Sequence, residues 1–194
     1  MNALKLTEWI SPAEYLAREL EAEVKHEYVA GTIHAMSGAR IRHNRICVSL
    51  LRSLANQLAG RPCETFNSDM KVRIQLPNQV RFYYPDAMVV CQSNPESDSF
   101  QDQPRVVIEV LSNKTRRLDL GEKREGYLSL PSLSAYLLVE QEEPAVLVYR
   151  RSDQGFVRET YQGLESSIPL PEIGAHLQLA DVYERVTFGP EAEE

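Results

Sequence analysis

The sequence predicts an α+β fold in one domain, with a central β-sheet flanked by helices. Three observations support this prediction. Segments whose side chains alternate as in strands occur beside segments with helical spacing. Hydrophobic residues make up 43% of the chain and charged residues 25%, as in ordinary globular proteins. The 194 residues fit one domain over 1–194, with a core at about 11–185 and a frayed acidic tail at 187–194.

The first predicted elements are a short helix and a β-hairpin. The segment SPAE at 11–14 is a capping box with proline at the first helical position, so a helix should run to about residue 22. Residues 24–28 and 32–36 are joined at Ala30-Gly31, which is a hairpin signal.

The middle of the chain predicts a long helix and three strands. Apolar residues recur at helical spacing over 41–59, and the segment GRP at 60–62 ends that helix. Residues 70–76 alternate between apolar and polar, which predicts a strand with one solvated face. The mostly apolar segments 87–91 and 106–111 predict central strands buried on both faces.

The C-terminal third completes the predicted sheet. A helix is expected over 119–130, ended by Pro131, followed by strands at 135–139, 145–150 and 156–161 and a short helix at 179–186.

Composition limits the cellular context. The first ten residues lack the basic start and apolar stretch of a signal peptide, and no run approaches the ~18 apolar residues of a membrane span, so we expect a cytoplasmic protein with no membrane partner. The three cysteines are odd in number, widely spaced and outside any CxxC pattern. This argues against both a disulfide framework and a zinc site.

The charge of −7 is unevenly distributed along the chain. Residues 40–60 contain four arginines and no acidic residue, and residues 113–124 contain five basic residues against two acidic ones. A net negative charge speaks against a nonspecific nucleic-acid binder. An acidic protein with two basic patches can nevertheless meet a polyanion on one face.

Two carboxylates lie at the apolar strands of the predicted core. Asp86 directly precedes the strand at 87–91, and Glu109 lies inside the strand at 106–111. Since burying an unpaired charge is costly, each needs a cation, hydrogen bonds or a raised pKa. One or two carboxylates are the typical protein ligands of Mg²⁺. The pair therefore predicts a divalent-metal site, whereas either residue alone is equally explained by pairing with an arginine.

A lysine on the following helix has two interpretations. Asp119, Lys123 and Tyr127 are spaced four apart on one helical face. An ammonium leaning over the Glu109 strand would orient an attacking water and offset charge on a phosphate. An exposed lysine paired with Asp119 explains the spacing equally well.

The order of motifs resembles a known family. The motifs are HEYVAGTIHAMSG, a histidine on the next helix, YYPDAMVV, VVIEVLSNKT followed by D-x-x-x-K-x-x-x-Y, and AYLLVE. They are similar to the Uma-two restriction endonuclease family of the PD-(D/E)XK nuclease superfamily, and the likeness spans about residues 11–185. The resemblance implies a restriction-endonuclease-like core with a mixed sheet, preceded by a helix and a hairpin.

The resemblance also implies a metal site. Asp86 matches the aspartate of the PD element and Glu109 the acidic residue of the (D/E)XK element, and both would bind Mg²⁺ or Mn²⁺. The carbonyl of Val110 would add a ligand. Glu27 matches an upstream glutamate that would complete the acidic cluster, although an exposed strand glutamate is as good an interpretation.

The superfamily lysine is displaced in this sequence. Leu111 stands at its usual position, and in the resembled family the lysine lies on the following helix, which fits Lys123. The predicted catalytic residues are thus Asp86, Glu109, Lys123 and Glu27.

Several residues of the two basic segments are candidates for contact with nucleic acid. His43 aligns with a frequent histidine of the resembled family, although a lone histidine on a helix is more often structural. The full candidate set is His43, Arg40, Arg42, Arg45, Lys114 and Arg116.

The leading hypothesis is a Mg²⁺-dependent endonuclease that hydrolyses DNA phosphodiester bonds. The alternative is a noncatalytic nuclease-like module that binds nucleic acid or a protein partner, and a third is a phosphohydrolase acting on small nucleotides. A homodimer is expected by analogy with nucleases whose two-fold symmetry matches a duplex.

Overall fold

The helices and strands of the computed structural model lie within residues 9–189, which are the residues it describes. Of the tail predicted at 187–194, residues 190–194 lie outside them. Helices in this range are α1 (Pro12–Glu19), α2 (Ile41–Leu58), α3 (Arg116–Asp119), α4 (Glu122–Leu128) and α5 (Leu179–Val182). Among these helices, none has both the length and the apolar character needed to cross a membrane.

Thirteen strands occur in the same described range. The first seven are β1 (His26–Val29), β2 (Thr32–Ala35), β3 (Glu64–Asn67), β4 (Lys71–Leu76), β5 (Gln79–Tyr83), β6 (Ala87–Val90) and β7 (Phe100–Gln101). The others are β8 (Pro104–Val110), β9 (Ala135–Val139), β10 (Ala145–Ser152), β11 (Gly155–Gln162), β12 (Ser167–Leu170) and β13 (Ala175–Gln178).

The central sheet is mixed and has the order β11-β10-β9-β8-β6-β3. Strands β8 and β9 are parallel, whereas β6 is antiparallel to both β8 and β3. The predicted fold class, a mixed sheet flanked by helices, is thereby confirmed. A second sheet, β2-β1-β5-β4-β7, contains the N-terminal hairpin, which is also confirmed.

Helices cover both faces of the central sheet, and successive side chains of β8 therefore alternate between two apolar clusters. On one face, Val106 and Ile108 pack with Ile46 and Leu50 of α2. On the other face, Val107 packs in the cluster that includes Tyr127 of α4. The period of two along β8 places Glu109 on the Val107 side, towards α4.

Three expectations about elements were wrong. The helix predicted over 119–130 is broken: α3 ends at Asp119 and α4 begins after Gly121, whose backbone (φ −116°, ψ −101°) is not helical. Strands were missed at β3, β5, β7, β12 and β13. The short helix predicted over 179–186 ends at Val182.

The prediction that the cysteines form no disulfide was also wrong. Cys63 and Cys91 are bonded, with their Cα atoms 3.9 Å apart. Cys63 precedes β3 and Cys91 follows β6, and the antiparallel pairing of Glu64 with Val90 brings the two cysteines side by side. Sequence spacing could not reveal this pairing because β3 was not predicted. Cys47 is free.

Candidate active site

Glu109 is a buried carboxylate held between strand β8 and helix α4. The residue as a whole is only 4% exposed. One oxygen, Oε1, accepts hydrogen bonds from Lys123 Nζ at 3.3 Å and from Tyr127 Oη at 3.1 Å. Both donors lie on α4, four residues apart, so one face of this helix aims two polar groups at the strand.

Lys123 lies at the centre of three carboxylates. Its Nζ atom is 2.7 Å from Glu27 Oε1, 3.3 Å from Glu109 Oε1 and 3.6 Å from Asp119 Oδ1. The lysine is buried, with 5% of its surface exposed. Lys123 therefore pairs with Asp119 and also contacts Glu109. It is buried, whereas the simpler interpretation of the sequence assumed an exposed lysine.

Asp86 lies just before β6, next to the end of the Glu109 strand. Its Oδ2 atom accepts a hydrogen bond from the Val110 N–H at 2.7 Å and contacts His43 Nε2 at 3.2 Å. The antiparallel pairing of β6 with β8 sets this position, since Ala87 pairs with Ile108. His43, which sequence reasoning assigned to nucleic-acid contact, therefore touches a predicted metal ligand.

The acidic groups of the cluster outnumber its basic groups. Burial raises the pKa of Glu109 well above its usual value; Lys123 opposes this shift, and the neighbouring carboxylates add to it. Burial also raises the pKa of Asp119. Burial alone would lower the pKa of Lys123, but the charges of Glu109, Glu27 and Asp119 raise it, so this lysine is held protonated.

His43 lies at the edge of the cluster, and its pKa is raised. Burial by itself would lower the pKa of this histidine, but hydrogen bonding to Asp86, the charge of Asp86 and a hydrogen bond to the Val110 backbone raise it. The imidazole thus contacts two of the groups that were predicted to bind metal.

The donor set fits a hard divalent cation. Three carboxylates, those of Glu27, Glu109 and Asp119, contact one buried lysine, and the carboxylate of Asp86 lies beside the same strand end. The Oδ1 atom of Asp119 is buried without a hydrogen-bond partner. Asp86, Glu109 and the carbonyl of Val110 could hold Mg²⁺ or Mn²⁺, because these ions prefer oxygen ligands.

A cavity of about 570 Å³ opens onto this cluster. Of the predicted nucleic-acid contacts, Arg40, His43, Lys114 and Arg116 line it together with Asp86 and Glu109. Arg116 is bound by both oxygens of Glu140, at 2.6 and 2.8 Å.

The other two arginines of that set do not line the cavity, although Arg42 pairs with a residue that does. Arg42 pairs with Glu142 at 2.6 Å, and Arg45 donates to the carbonyl of Arg185 at 3.0 Å. The two basic segments thus meet at one cavity, while Arg42 and Arg45 do not line it.

Sequence reasoning missed two polar residues of the site. Asp119 was treated only as a partner of the lysine, and Cys47 was treated only as a semi-buried thiol. The D-x-x-x-K-x-x-x-Y spacing was the available signal for Asp119, because it places three polar side chains on one face. For Cys47 the signal was its position four residues after His43 on an amphipathic helix.

Comparisons with known proteins agree on the family and the fold. The family model Uma2, described as "Putative restriction endonuclease", matches residues 12–181. The uncharacterized Synechocystis sp. protein slr1290 is 35% identical over 181 residues, covering 92% of this chain and 94% of that protein. Another uncharacterized Synechocystis sp. protein, sll1609, is 34% identical over 144 residues, covering 73% and 80% of the two chains.

A solved structure has the same fold. It is the crystal structure of a chain from Anabaena variabilis described as a "putative nuclease belonging to DUF820". The TM-score is 0.68 at 18% identity, and the match covers 89% of this chain and 98% of that one. At this identity the likeness bears on the fold alone.

Proposed function

The chain belongs to the Uma2 family, and from this premise we propose that it is a divalent-metal-dependent endonuclease that hydrolyses DNA phosphodiester bonds. The observation that carries the proposal is the carboxylate cluster around Lys123, which opens into a cavity lined by residues of both basic segments. Negative ligands for a metal and positive side chains for phosphates thus occur in one cavity.

In this proposal Asp86, Glu109 and the Val110 carbonyl hold Mg²⁺ or Mn²⁺. When bound, such an ion lowers the pKa of a water ligand and stabilises negative charge on the reacting phosphate. The Val110 N–H fixes the orientation of the Asp86 carboxylate, to which it donates at 2.7 Å. Tyr127 does the same for Glu109, at 3.1 Å.

Lys123 acts as a cation and not as a base. Its pKa is raised by the surrounding carboxylates, so it carries its proton at neutral pH. A protonated amine can donate to an attacking water or to a phosphate oxygen, but it cannot accept the proton of that water. Glu27, at 2.7 Å from Nζ, positions the amine.

The shape of the cavity favours a polymer over a free nucleotide. Exposed Asn113 and Lys114 line its outer part, whereas buried Glu109 lies at its inner end. A chain of phosphates could therefore run from the site onto the surface. A phosphohydrolase for small nucleotides would be expected to enclose its substrate.

Cleavage of supercoiled plasmid DNA with Mg²⁺ or Mn²⁺ tests the proposal. The wild type should nick or linearise the plasmid, and Asp86→Ala and Glu109→Ala should lose at least ~10²-fold in rate. Glu159→Gln, which lies on β11 outside the site, is the matched control and should cleave normally. Equal rates in all four proteins, or no cleavage by the wild type across substrates, would refute the proposed nuclease activity. DNA retention without cleavage would instead indicate the noncatalytic module.

We also propose a homodimer, because a two-fold protein matches a two-fold duplex. Sedimentation velocity of the wild type with and without DNA tests this point. A monomer under both conditions would remove it without affecting the catalytic proposal.

A further inference from the structure

A second group of possible metal ligands lies beside the carboxylate cluster. His43 and Cys47 are one helical turn apart on α2, so their side chains lie on the same face. That face meets Asp86, in front of β6. The three ligand atoms all lie within 4.8 Å of one another, and the three residues are partly buried at the cavity wall.

We propose that His43, Cys47 and Asp86 form a binding site for one thiophilic divalent cation of the zinc class. Its ligands differ from those of the oxygen-based magnesium site except for Asp86, which belongs to both. Its existence does not depend on whether the protein cleaves DNA.

The distances support one ion held by all three residues. Zinc lies about 2.3 Å from sulfur and about 2.0–2.2 Å from nitrogen or oxygen, so two ligand atoms on one tetrahedral ion are about 3.3–3.6 Å apart. Cys47 Sγ is 3.4 Å from His43 Nδ1, and Asp86 Oδ2 is 3.2 Å from His43 Nε2. These two contacts use different nitrogens of the imidazole, so one ion would be bound through a single nitrogen, with the three ligand atoms, all within 4.8 Å of one another, drawn in around it.

The donor types determine which ion is selected. Thiolate and imidazole are poor ligands for Mg²⁺, which prefers oxygen, but they suit Zn²⁺ and its neighbours in the transition series. Cys47 is free, whereas Cys63 and Cys91 are joined in a disulfide. The cavity leaves a fourth coordination position open to water, as in zinc sites with three protein ligands.

Sharing Asp86 makes the two ions compete for one carboxylate. An ion on His43, Cys47 and Asp86 takes a carboxylate that the magnesium site needs. If the proposed nuclease activity holds, low concentrations of Zn²⁺ should therefore inhibit cleavage, and this inhibition should be relieved in Cys47→Ser.

Titration with Co²⁺ tests the site without measuring activity. The full chain, with its disulfide intact, should develop the near-ultraviolet sulfur-to-cobalt charge-transfer band and reach saturation at one equivalent of Co²⁺. Added Zn²⁺ should abolish the band, whereas added Mg²⁺ should not. Cys47→Ser should lose the band. Glu109→Gln, which removes a magnesium ligand and leaves the three proposed ligands in place, should keep it.

These two variants separate the inference from the proposed nuclease. A wild type without the band, or a full band in Cys47→Ser, would overturn the site, and loss of the band in Glu109→Gln would overturn the ligand assignment. Protection of the wild-type thiol provides a measurement that needs no variant. Zn²⁺ should slow alkylation of Cys47 by iodoacetamide at least tenfold, and an unchanged rate would contradict the proposal.

Discussion

Two clusters in the molecule each surround one cation with carboxylates, and the pKa values of Glu109 and Asp119 in the first are raised whereas that of Glu159 in the second is lowered. Lys123 lies among Glu27, Glu109 and Asp119. Arg150, on β10, lies between Glu159 and Glu172. The lysine cluster is the more deeply buried, since the side chain of Glu109 is 5% exposed and that of Glu159 is 30% exposed.

The arginine cluster has one cation for two carboxylates, and both carboxylates accept hydrogen bonds from Arg150. Arg150 donates through Nε to Glu159, through Nη1 to both oxygens of Glu172, and through Nη2 to the Pro169 carbonyl. Burial alone would raise the pKa of Glu159, but hydrogen bonds from Arg150 and Tyr161 lower it. This ion pair therefore stabilises the charged carboxylate and joins β10 to β11 and to the turn after β12.

The lysine cluster has the larger excess of negative charge, and this is the difference that points to function. One ammonium cannot neutralise three carboxylates, with Asp86 as a fourth nearby, and the pKa values of Glu109 and Asp119 are raised mainly by burial. A structural cluster of this kind would destabilise the fold without benefit. A cluster that receives an additional cation gains stability when the ion binds.

The largest predicted effect is on catalysis, and it compares one glutamate from each cluster. Glu109→Gln should reduce plasmid cleavage by at least ~10²-fold, about 2.7 kcal/mol, because it removes a metal ligand. Glu159→Gln should leave the cleavage rate within about twofold of the wild type. Initial rates at saturating Mg²⁺ are the measurement. A comparable loss in both variants would mean that the two clusters do not differ in role.

The sequence predicted the centre of this site better than its surroundings. Asp86 and Glu109 could be found because a carboxylate within or directly before an apolar strand contradicts the burial pattern. Lys123 could be placed only through its resemblance to a family with a displaced lysine. Its three-carboxylate environment depends on the packing of α4 against β1 and β8, which no local pattern encodes.

The fold shows the same division between strong local patterns and tertiary context. The long helix α2 was predicted from its helical spacing, and the buried strands β6 and β8 were predicted from their mostly apolar segments. Strands β12 and β13 have only four residues each, and they are recognised as strands mainly by their antiparallel pairing with each other. The disulfide and the contact between His43 and Asp86 were unpredictable for a similar reason, since each joins distant segments.

The second prediction is on stability and concerns the arginine cluster. Arg150→Met should lower the free energy of unfolding by about 2 kcal/mol, since it leaves two partly buried glutamates without their charged hydrogen-bond donor. Urea denaturation followed by circular dichroism measures this change. Arg158→Met, at an exposed position on β11, is the control and should change stability by less than about 0.5 kcal/mol. Equal effects of the two substitutions would contradict the structural role.

The third prediction concerns metal-linked stability of the lysine cluster. Mg²⁺ at ten times its dissociation constant should stabilise the wild type by about 1.4 kcal/mol, because the ion binds only the folded state. Glu109→Gln should show little of this stabilisation, whereas Glu159→Gln should retain it. Thermal denaturation with Mg²⁺ and with EDTA provides the comparison. An identical Mg²⁺ response in the wild type and Glu109→Gln would place the ion elsewhere.

The smallest predicted effect is the dependence of stability on pH in EDTA. Because the pKa of Glu109 is raised in the folded state, the stability that this residue costs grows as pH rises from its unfolded pKa to its folded pKa, and this cost shrinks again as pH falls over the same range. Glu109→Gln resembles the protonated form. It should therefore be more stable than the wild type by about 1 kcal/mol at pH 8, a few °C in melting temperature, with the difference shrinking as pH falls.

Glu159→Gln should behave in the opposite way. The pKa of Glu159 is lowered in the folded state, so its ionised form contributes stability above the unfolded pKa, and that contribution is lost as pH falls through the folded pKa. This variant should be less stable than the wild type at pH 8 and approach it in acid. Melting curves of the three proteins from pH 4 to pH 8 would show differences of opposite sign. Differences of the same sign would mean that both clusters are structural ion pairs.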